Sequence, residues 1–293
     1  MASAVQTRSE VLWHLRSVLR GHGFSEIHTP ALRANDDRTG QRIPAGREGS
    51  KSLRSMIGPA LRFHLQHAKR IYEIGPCFRL DEPDATHAQE FSMLDLYAAD
   101  EDYSFLGALA AELVGPPLGI PTIRRVSVAA EVLKRTGVDL RQDAAELLVR
   151  HLRGTTDYPV GMKDHQVIDQ FVEAEVEPVG GSEVVMLHDY PLGGSEPCAR
   201  RTPGTAAVLN RFELFARGLE LVHGYEDEPC RADFMERAKA AGLYNKEQEI
   251  VYDLASAGKI PVNSVGLGIG IERLCMAAAE GLDASDFMRS SPF

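Results

Sequence analysis

The sequence predicts an α+β fold in which helices flank a mainly antiparallel β-sheet. Three observations support this fold class. A helix and a short strand come first, residues 70–97 show two strand patterns joined only by a polar connection, and three more strand patterns follow residue 180. The regular alternation of strands and helices that is typical of a parallel sheet is missing.

The N-terminal elements follow from local patterns. Apolar residues recur at steps of three and four across 8–21, which predicts an amphipathic helix. Residues 24–32 alternate apolar and polar side chains ahead of Pro30, which predicts a short strand. Residues 33–50 are polar, contain glycines and lack a period, so we expect a mobile loop of the kind that often closes over a site.

The central and C-terminal segments complete the sheet. Residues 70–97 predict a long antiparallel hairpin, with the strands RIYEIGPCFRL and EFSMLDLYA and the connection DEPDATHAQ. Residues 101–180 carry helical patterns and predict a helical insertion within one domain that spans residues 1–293. Strands are then predicted at SEVVMLHDY, NRFELFARGLELVHGY and NSVGLGIGIERL, the last of which runs into the helix LCMAAAE.

The composition is that of a globular protein. The chain has 293 residues, 44% hydrophobic and 25% charged, and no apolar run approaches the ~20 residues that cross a bilayer. We therefore expect a soluble, cytoplasmic protein. Its 32 basic and 42 acidic residues give a net charge of -10, which argues against nonspecific attraction to a phosphate backbone.

Three segments, in this order, resemble the signature motifs of class II aminoacyl-tRNA synthetases. GFSEIHTPAL resembles motif one, FRLDEPDATHAQEFSMLDLY motif two and GLGIGIERL motif three. The connecting segments DQFVEAEVEPV, YPLGGSEPCARR and RFELFARGLELVHGYEDE resemble the lysyl-tRNA synthetase subclass and its shortened paralogue, the lysine ligase that modifies elongation factor P. RIYEIGPCFR is also similar to pyrrolysyl-tRNA synthetase. Only seven residues precede the motif-one helix, so we expect no anticodon-binding domain.

The resemblance implies a nucleotide site for ATP. Arg79 would grip the α-phosphate and the substrate carboxylate, because a guanidinium offers a rigid fork of donors that stays charged. His87 would contact the β- or γ-phosphate, Phe91 would stack on adenine, and Arg273 would lie on the other face of the adenine near the γ-phosphate. The alternatives are a surface arginine for Arg79, a solvated loop histidine for His87 and a core side chain for Phe91.

The same resemblance implies further nucleotide contacts and a magnesium site. Asp81 and Gly270 complete the expected nucleotide contacts, and the glycine-rich strand that contains Gly270 leaves no side chains to obstruct the nucleotide. Glu220 and Asp227, seven residues apart, match the acidic pair that holds Mg²⁺ on the ATP phosphates in these synthetases. The family usually has glutamate at the second position, so a glutamate beside Asp227 is one alternative. A solvated acidic turn is the other.

The amino-acid pocket departs from the lysyl pattern. Lysyl enzymes end an APE-like triplet with a glutamate that holds the substrate α-amino group, but here the third residue is Ala60, which cannot form that ion pair. Asp95 and Tyr97 share a strand face with Phe91, because strand side chains repeat every two residues. Asp95 could therefore receive a substrate ammonium group and Tyr97 a hydrogen bond.

Two further positions depart from the family pattern. Arg62 replaces a pocket-lining aromatic residue, and one alternative is that Arg62 and Asp95 simply form a structural ion pair. His223 replaces the asparagine that precedes Gly224. These changes indicate that the activating machinery is kept while the amino-acid pocket is rewritten.

The resemblance implies a stand-alone ligase that forms an aminoacyl-adenylate from ATP and passes the acyl group to an acceptor. Because the net charge is -10 and no anticodon domain is expected, we favour a protein lysine, a carrier or a small-molecule amine as acceptor over tRNA. The alternative is a catalytically silent paralogue that acts as a regulatory subunit binding an amino acid or a nucleotide. Motif one further implies a homodimer.

Overall fold

The computed structural model describes residues 3–34, 42–244, 246–279, 281–282 and 284–287. Its helices are α1 (Ala4–Gly21), α2 (Gly58–Phe63), α3 (Tyr103–Val114), α4 (Val128–Thr136), α5 (Ala145–Thr155), α6 (Asp164–Phe171), α7 (Arg231–Ala241), α8 (Lys246–Ser256), α9 (Ile271–Ala278) and α10 (Ala284–Phe287). Its strands are β1 (Ser25–Glu26), β2 (Leu32–Ala34), β3 (Pro44–Ala45), β4 (Lys51–Leu53), β5 (Arg70–Phe78), β6 (Glu90–Ala99), β7 (Arg124–Ser127), β8 (Val185–Pro191), β9 (Val208–Ala216), β10 (Leu219–Glu226) and β11 (Ser264–Gly270).

The strands form a large sheet and a small one. The large sheet has eight strands in the order β1-β5-β6-β11-β10-β9-β8-β7. Its two outermost pairs, β1 with β5 and β7 with β8, are parallel, and the pairs between them are antiparallel. The predicted α+β fold class is therefore confirmed. No helix in the described part of the chain is long and apolar enough to cross a membrane.

The central hairpin is confirmed, whereas the single strand predicted at NRFELFARGLELVHGY is wrong. β5 and β6 pair from Arg70↔Ala98 to Phe78↔Glu90. The segment NRFELFARGLELVHGY is two strands, β9 and β10, rather than one. The chain reverses at Arg217 and Gly218, which both have positive φ (54° and 76°). Such a turn favours glycine, but the arginine at its first position hides it in the sequence.

Several shorter elements also differ from the predictions. Only Ser25–Glu26 of the predicted strand 24–32 pairs in the large sheet. The predicted loop 33–50 contributes to β2 and β3, which form the small sheet with β4. It also contains a 3₁₀ turn at Arg47–Gly49. Residues 35–41 lie outside the described residues. Within 101–180 the helices α3 to α6 are joined by the edge strand β7, and α7 and α8 lie in a stretch for which the sequence offered no prediction.

One face of the large sheet packs against α1, α3 and α9. The alternation of side chains along the strands directs apolar residues to this face. The resulting core buries many leucines, among them Leu15, Leu96, Leu113, Leu267 and Leu274.

The opposite face, here called the site face, is covered near its two ends. α2 packs over β5 and β6, where Leu61 and Tyr97 belong to one apolar cluster. α4, α5 and α6 contribute to a second cluster, in which Val132 and Ile168 lie with Phe215 of β9. Between these two clusters the site face carries polar and charged side chains.

Candidate active site

A cavity of about 410 Å³ opens on the site face between the two apolar clusters. The β5–β6 hairpin, β9, β10, β11 and the start of α9 supply its walls. The structure brings together in it the six residues expected to contact the nucleotide: Arg79, Asp81, His87, Phe91, Gly270 and Arg273. Glu220 and His223 also line it.

Arg79 and Phe91 form one wall of the cavity. Arg79 directly follows β5, and its backbone N–H donates to Gln89 across the hairpin (2.9 Å). Its guanidinium carbon lies 5.1 Å from the centre of the Phe91 ring, and its Nε donates to the Ser55 carbonyl (3.3 Å). Among the described residues Arg79 has no carboxylate partner within ion-pair distance. A cation without an internal counter-charge is suited to bind an anionic ligand.

Arg273 and His87 close the opposite side. Arg273 Nη2 donates to His87 Nε2 (2.8 Å), and Nδ1 of the same ring lies 2.9 Å from the Asp84 carboxylate. Arg273 Nη1 also donates to the Glu220 carbonyl (3.2 Å) and lies 3.5 Å from its carboxylate. If Nε2 accepts from Arg273, the ring proton sits on Nδ1 and points to Asp84. These contacts tie the hairpin loop to the first turn of α9.

An acidic cluster lies at the base of the cavity. One ligand atom each of Glu213, Glu220 and His223 lies within 4.8 Å of the other two. Burial, and then the charge of Glu213, raise the pKa of Glu220. Burial would likewise raise the pKa of Glu213, but Arg211 and a hydrogen bond from Tyr190 (2.7 Å) hold it below its usual range. Two neighbouring carboxylates that disfavour each other's charge are suited to share a divalent cation.

The predicted partner of Glu220 is therefore corrected. Asp227 is buried, with 1% of its side chain exposed, and it does not line the cavity as the structure describes it. Its carboxylate accepts from the Ser264 hydroxyl and lies 3.2 Å from Arg62 Nη1. Glu213, which precedes Glu220 by the same seven residues, takes the place that the sequence analysis gave to Asp227.

Arg62 is a buried cation, and the structure does not show the alternative in which it pairs with Asp95. Its ion pair is with Asp227 and not with Asp95, and its guanidinium stacks over the Tyr252 ring at 4.7 Å. Tyr252 in turn stacks on Phe234 of α7 at a centroid distance of 4.2 Å. The residue that replaces the family's aromatic side chain thus anchors α7 and α8 beside the site.

Asp95 and Tyr97 lie behind the cavity instead of lining it, as far as the described residues show. Asp95 Oδ2 accepts from the backbone N–H groups of Ile57 and Gly58, both at 3.1 Å, and so caps the start of α2. Burial raises the pKa of Asp95 to about 6. The Tyr97 hydroxyl lies 3.1 Å from the Tyr225 hydroxyl. Both positions share the predicted strand face, but their polar atoms are engaged within the protein.

The remaining predicted positions have structural explanations. Ala60 lies on α2 and is absent from the described cavity wall. A side chain at Gly224 would collide with the Phe212 ring, so this glycine serves packing on the core face. Gly266 and Gly268 leave room for the Tyr97 ring and the Asp95 carboxylate of the neighbouring strand, whereas Gly270 faces the cavity beside Arg273.

Several cavity residues were not predicted from the sequence. Glu213 precedes Glu220 by seven residues, which is the same spacing that separates Glu220 from Asp227. Ser195 and Glu196 lie in the β8–β9 loop and Arg211 on β9; the segments that contain them resemble the lysyl subclass, but the resemblance gave these three residues no role. Their position became visible only when the strand order was known.

Comparison with known proteins shows the family of the chain. Over residues 1–283 the chain matches the family described as tRNA synthetases class II (D, K and N). The chain belongs to this family. It is also similar to the lysine–tRNA ligases of Streptococcus suis (strain 05ZYH33), 28% identical, Enterococcus faecalis (strain ATCC 700802 / V583), 28%, and Bacillus subtilis (strain 168), 26%. The alignments cover 96%, 96% and 92% of this chain but only 63%, 62% and 60% of those proteins.

The first prediction concerns the ion pair between Arg62 and Asp227. Arg62→Met should lower the free energy of unfolding by about 3–5 kcal/mol, because it leaves a buried carboxylate without a counter-charge. Combined with Asp227→Leu, it should cost less than the sum of the single changes, with a coupling of about 1–3 kcal/mol in urea unfolding. Arg62→Met and Asp95→Asn should instead be additive. Strong coupling in that second cycle would restore the Arg62–Asp95 pair.

The second prediction concerns the pH dependence that Asp95 confers. Its pKa of about 6 in the folded protein exceeds the ordinary 3.8, so the folded state binds this proton more tightly than the unfolded state does. Stability from this group is full below about pH 4 and is lost as pH rises through about 6, at ~1.4 kcal/mol per pH unit. Asp95→Asn keeps an oxygen that can accept from both N–H groups, so the variant should gain relative to wild type across this range. Urea unfolding at several pH values measures the difference, with the exposed Asp157→Asn as matched control. Parallel curves for wild type and Asp95→Asn would contradict the assignment.

Proposed function

We propose that this member of the class II tRNA synthetases activates an amino acid with ATP. The carboxylate of the amino acid would attack the α-phosphorus, an aminoacyl-adenylate would form and pyrophosphate would leave. The observation that carries the proposal is that one cavity is lined by two arginines, Arg79 and Arg273, and by two neighbouring carboxylates, Glu213 and Glu220.

The chain's own side chains suit this reaction. A carboxylate and a phosphate repel each other, so the enzyme must screen both anions and hold them in line. Arg79 can donate to both from its wall of the cavity. Arg273, held by His87 and Glu220, is placed to bind the leaving phosphates. The Phe91 ring offers an apolar surface for the adenine.

Glu213 and Glu220 fit a magnesium ion better than the predicted pair of Glu220 and Asp227. Magnesium prefers oxygen ligands and keeps several waters, and these two carboxylates offer oxygens at the cavity wall. When bound there, the ion would neutralise charge on the ATP phosphates. Glu213 lines the cavity, whereas Asp227 pairs with Arg62 and Ser264 and is absent from the described cavity wall, so Glu213 is the ligand proposed beside Glu220.

An amine is the acceptor class that the charges favour over tRNA. A smaller cavity of about 260 Å³ adjoins the first, shares Glu213 and Glu220 with it, and adds the carboxylates of Asp169, Glu173 and Glu177. Burial, followed by the charges of Glu213, Glu220 and Glu173, raises the pKa of Glu177 to about 8. A cavity lined by this many carboxyl groups attracts an ammonium group and repels phosphate. A protein lysine, a carrier or a small-molecule amine therefore fits, in line with the resemblance to the lysine ligase that modifies elongation factor P.

The third prediction tests activation itself. Arg79→Ala and Arg273→Ala should each reduce ATP–pyrophosphate exchange by ~10²-fold or more, because each removes a charged contact to the reacting phosphates. Lysine at either position should restore little, since a point charge lacks the fork of donors. The exposed Arg124→Ala is the control, and thermal melting checks the fold of each variant. Exchange near the wild-type rate in either alanine variant would contradict the mechanism, and wild-type protein that binds ATP without any exchange would support a silent regulatory subunit.

The fourth prediction concerns a homodimer, for which the motif-one resemblance is the basis. Two large apolar side chains on α1, Val5 and Trp13, are 78% and 75% exposed in the single chain. Exposed apolar surface on one helix face is typical of an interface, and a two-fold axis would bury it twice. Trp13→Glu should therefore raise the dimer dissociation constant by about tenfold or more. Sedimentation measures this, and a mass near 32.1 kDa for the wild type at micromolar concentrations would exclude the dimer.

A further inference from the structure

An amino acid that reacts through its carboxylate carries an ammonium group nearby, and a cation withdrawn from water needs an anionic partner. The following inference rests on the proposed function and concerns the position of that partner. Ala60 cannot supply a charge, and Asp95 uses one oxygen to cap α2 behind the cavity. The partner is therefore to be sought among the carboxylates that line the cavity.

Most of these carboxylates already have a cationic partner. Glu272 pairs with Arg8 (2.7 Å) and accepts from the backbone N–H of Ser92 (2.9 Å). Glu213 is paired with Arg211. Glu220 lies 3.5 Å from Arg273 and, under the proposed function, faces the metal and the phosphates.

Two carboxylates on the cavity wall remain, at Asp81 and Glu196. Asp81 lies in the hairpin connection on the same side as His87, whose contact with Arg273 marks the phosphate end of the cavity. Glu196 lies in the β8–β9 loop, near His223 of β10. The two candidates thus lie in different loops, and Glu196 lies beside His223, whose ring belongs to the same cluster as Glu213 and Glu220.

No lysine or arginine lies within ion-pair distance of Glu196 in the described part of the chain, although its charge interacts with that of Arg211. Its side chain is 17% exposed, and one oxygen accepts from the Cys198 backbone N–H (3.3 Å). The other lies 3.4 Å from His223 Nε2, close enough for an ion pair but without the geometry of a hydrogen bond. His223 Nε2 is buried and has no hydrogen-bond partner. A buried polar atom that the protein leaves unsatisfied is an independent sign that a polar ligand belongs there.

We propose that Glu196 receives the ammonium group of the substrate, with His223 as a positioning residue that fixes the Glu196 carboxylate. In this role a carboxylate from the β8–β9 loop takes over from the glutamate that lysyl enzymes have at the position of Ala60. The substrate class is then an amino acid that keeps a free ammonium group close to its reacting carboxylate. Carboxylic acids without that group should be poor substrates.

The test compares amino acids with their deamino partners. Lysine, ornithine and alanine are paired with ε-aminocaproate, δ-aminovalerate and propionate, which lack only the α-amino group. Each compound is measured by ATP–pyrophosphate exchange and, independently of catalysis, by calorimetric binding in the presence of a non-hydrolysable ATP analogue. Wild-type protein should prefer the amino acid of the best pair by about a hundredfold.

Glu196→Gln should reduce this preference to a few-fold, because the loss falls on the ammonium-bearing compound alone. Glu196→Asp, which keeps the charge, should retain most of the preference, and both variants should bind the ATP analogue as wild type does. Glu183→Gln, at an exposed carboxylate just before β8, is the matched control and should keep the full preference.

The outcomes separate this inference from the proposed function. An undiminished preference in Glu196→Gln, or its loss in Asp95→Asn instead, overturns the role of Glu196 while activation stands. A preference in binding that Glu196→Gln abolishes, without exchange in the wild type, supports the role of Glu196 and contradicts activation. Wild-type protein that neither binds nor activates any of these compounds overturns both.

Discussion

A charge that is buried on the site face must find an opposite charge or a hydrogen-bond partner, because it is withdrawn from water. Arg54 shows the constraint most fully: it is 1% exposed, pairs with Glu73 (2.7 Å) and donates to the carbonyls of Pro76 (2.8 Å) and Thr29 (3.1 Å). This network joins the segment before β2, β4 and β5. The same rule pairs Arg62 with Asp227 at the other side of α2. Charged residues that escape such internal pairing are therefore the ones available to ligands.

Strand geometry decides where those available charges meet. β6 and β11 are paired so that Tyr97 faces Gly266, Asp95 faces Gly268 and Met93 faces Gly270. Because the first two glycines leave space, the larger side chains of β6 lean across β11 and fill the site face behind the cavity. The side chains of β6 that occupy this space therefore limit the cavity, whose described wall includes Gly268 and Gly270.

Local patterns predicted much of the fold and the hairpin that supplies one wall of the cavity. This hairpin, which carries Arg79 and Phe91, could be predicted because both strands and their connection are contiguous. The surroundings of Arg62 and Asp227 could not be predicted, because they depend on pairings between distant segments. Arg62 and Asp227 are 165 positions apart in the sequence, and nothing in either segment indicates the other. The turn at Arg217 was hidden for a different reason, since a residue without a turn preference adopts the left-handed conformation there.

The buried pair of Arg62 and Asp227 does more to shape the site than to stabilise the fold. Removing two charges from water offsets most of their attraction, so an apolar pair of similar volume would serve stability about as well. The charges nevertheless have a consequence for ligands, because Arg62 neutralises Asp227 and the Ser264 hydroxyl donates to its carboxylate. One oxygen of Asp95 likewise accepts from the N–H groups of Ile57 and Gly58, so both carboxylates serve contacts within the protein. Recognition of a cation then falls to the side of the cavity where β10 and the β8–β9 loop meet. The part of the cavity wall built on the β5–β6 hairpin and the start of α9 contains neither Arg62 nor Asp227 in the described structure, so these two regions of the scaffold can change independently of each other.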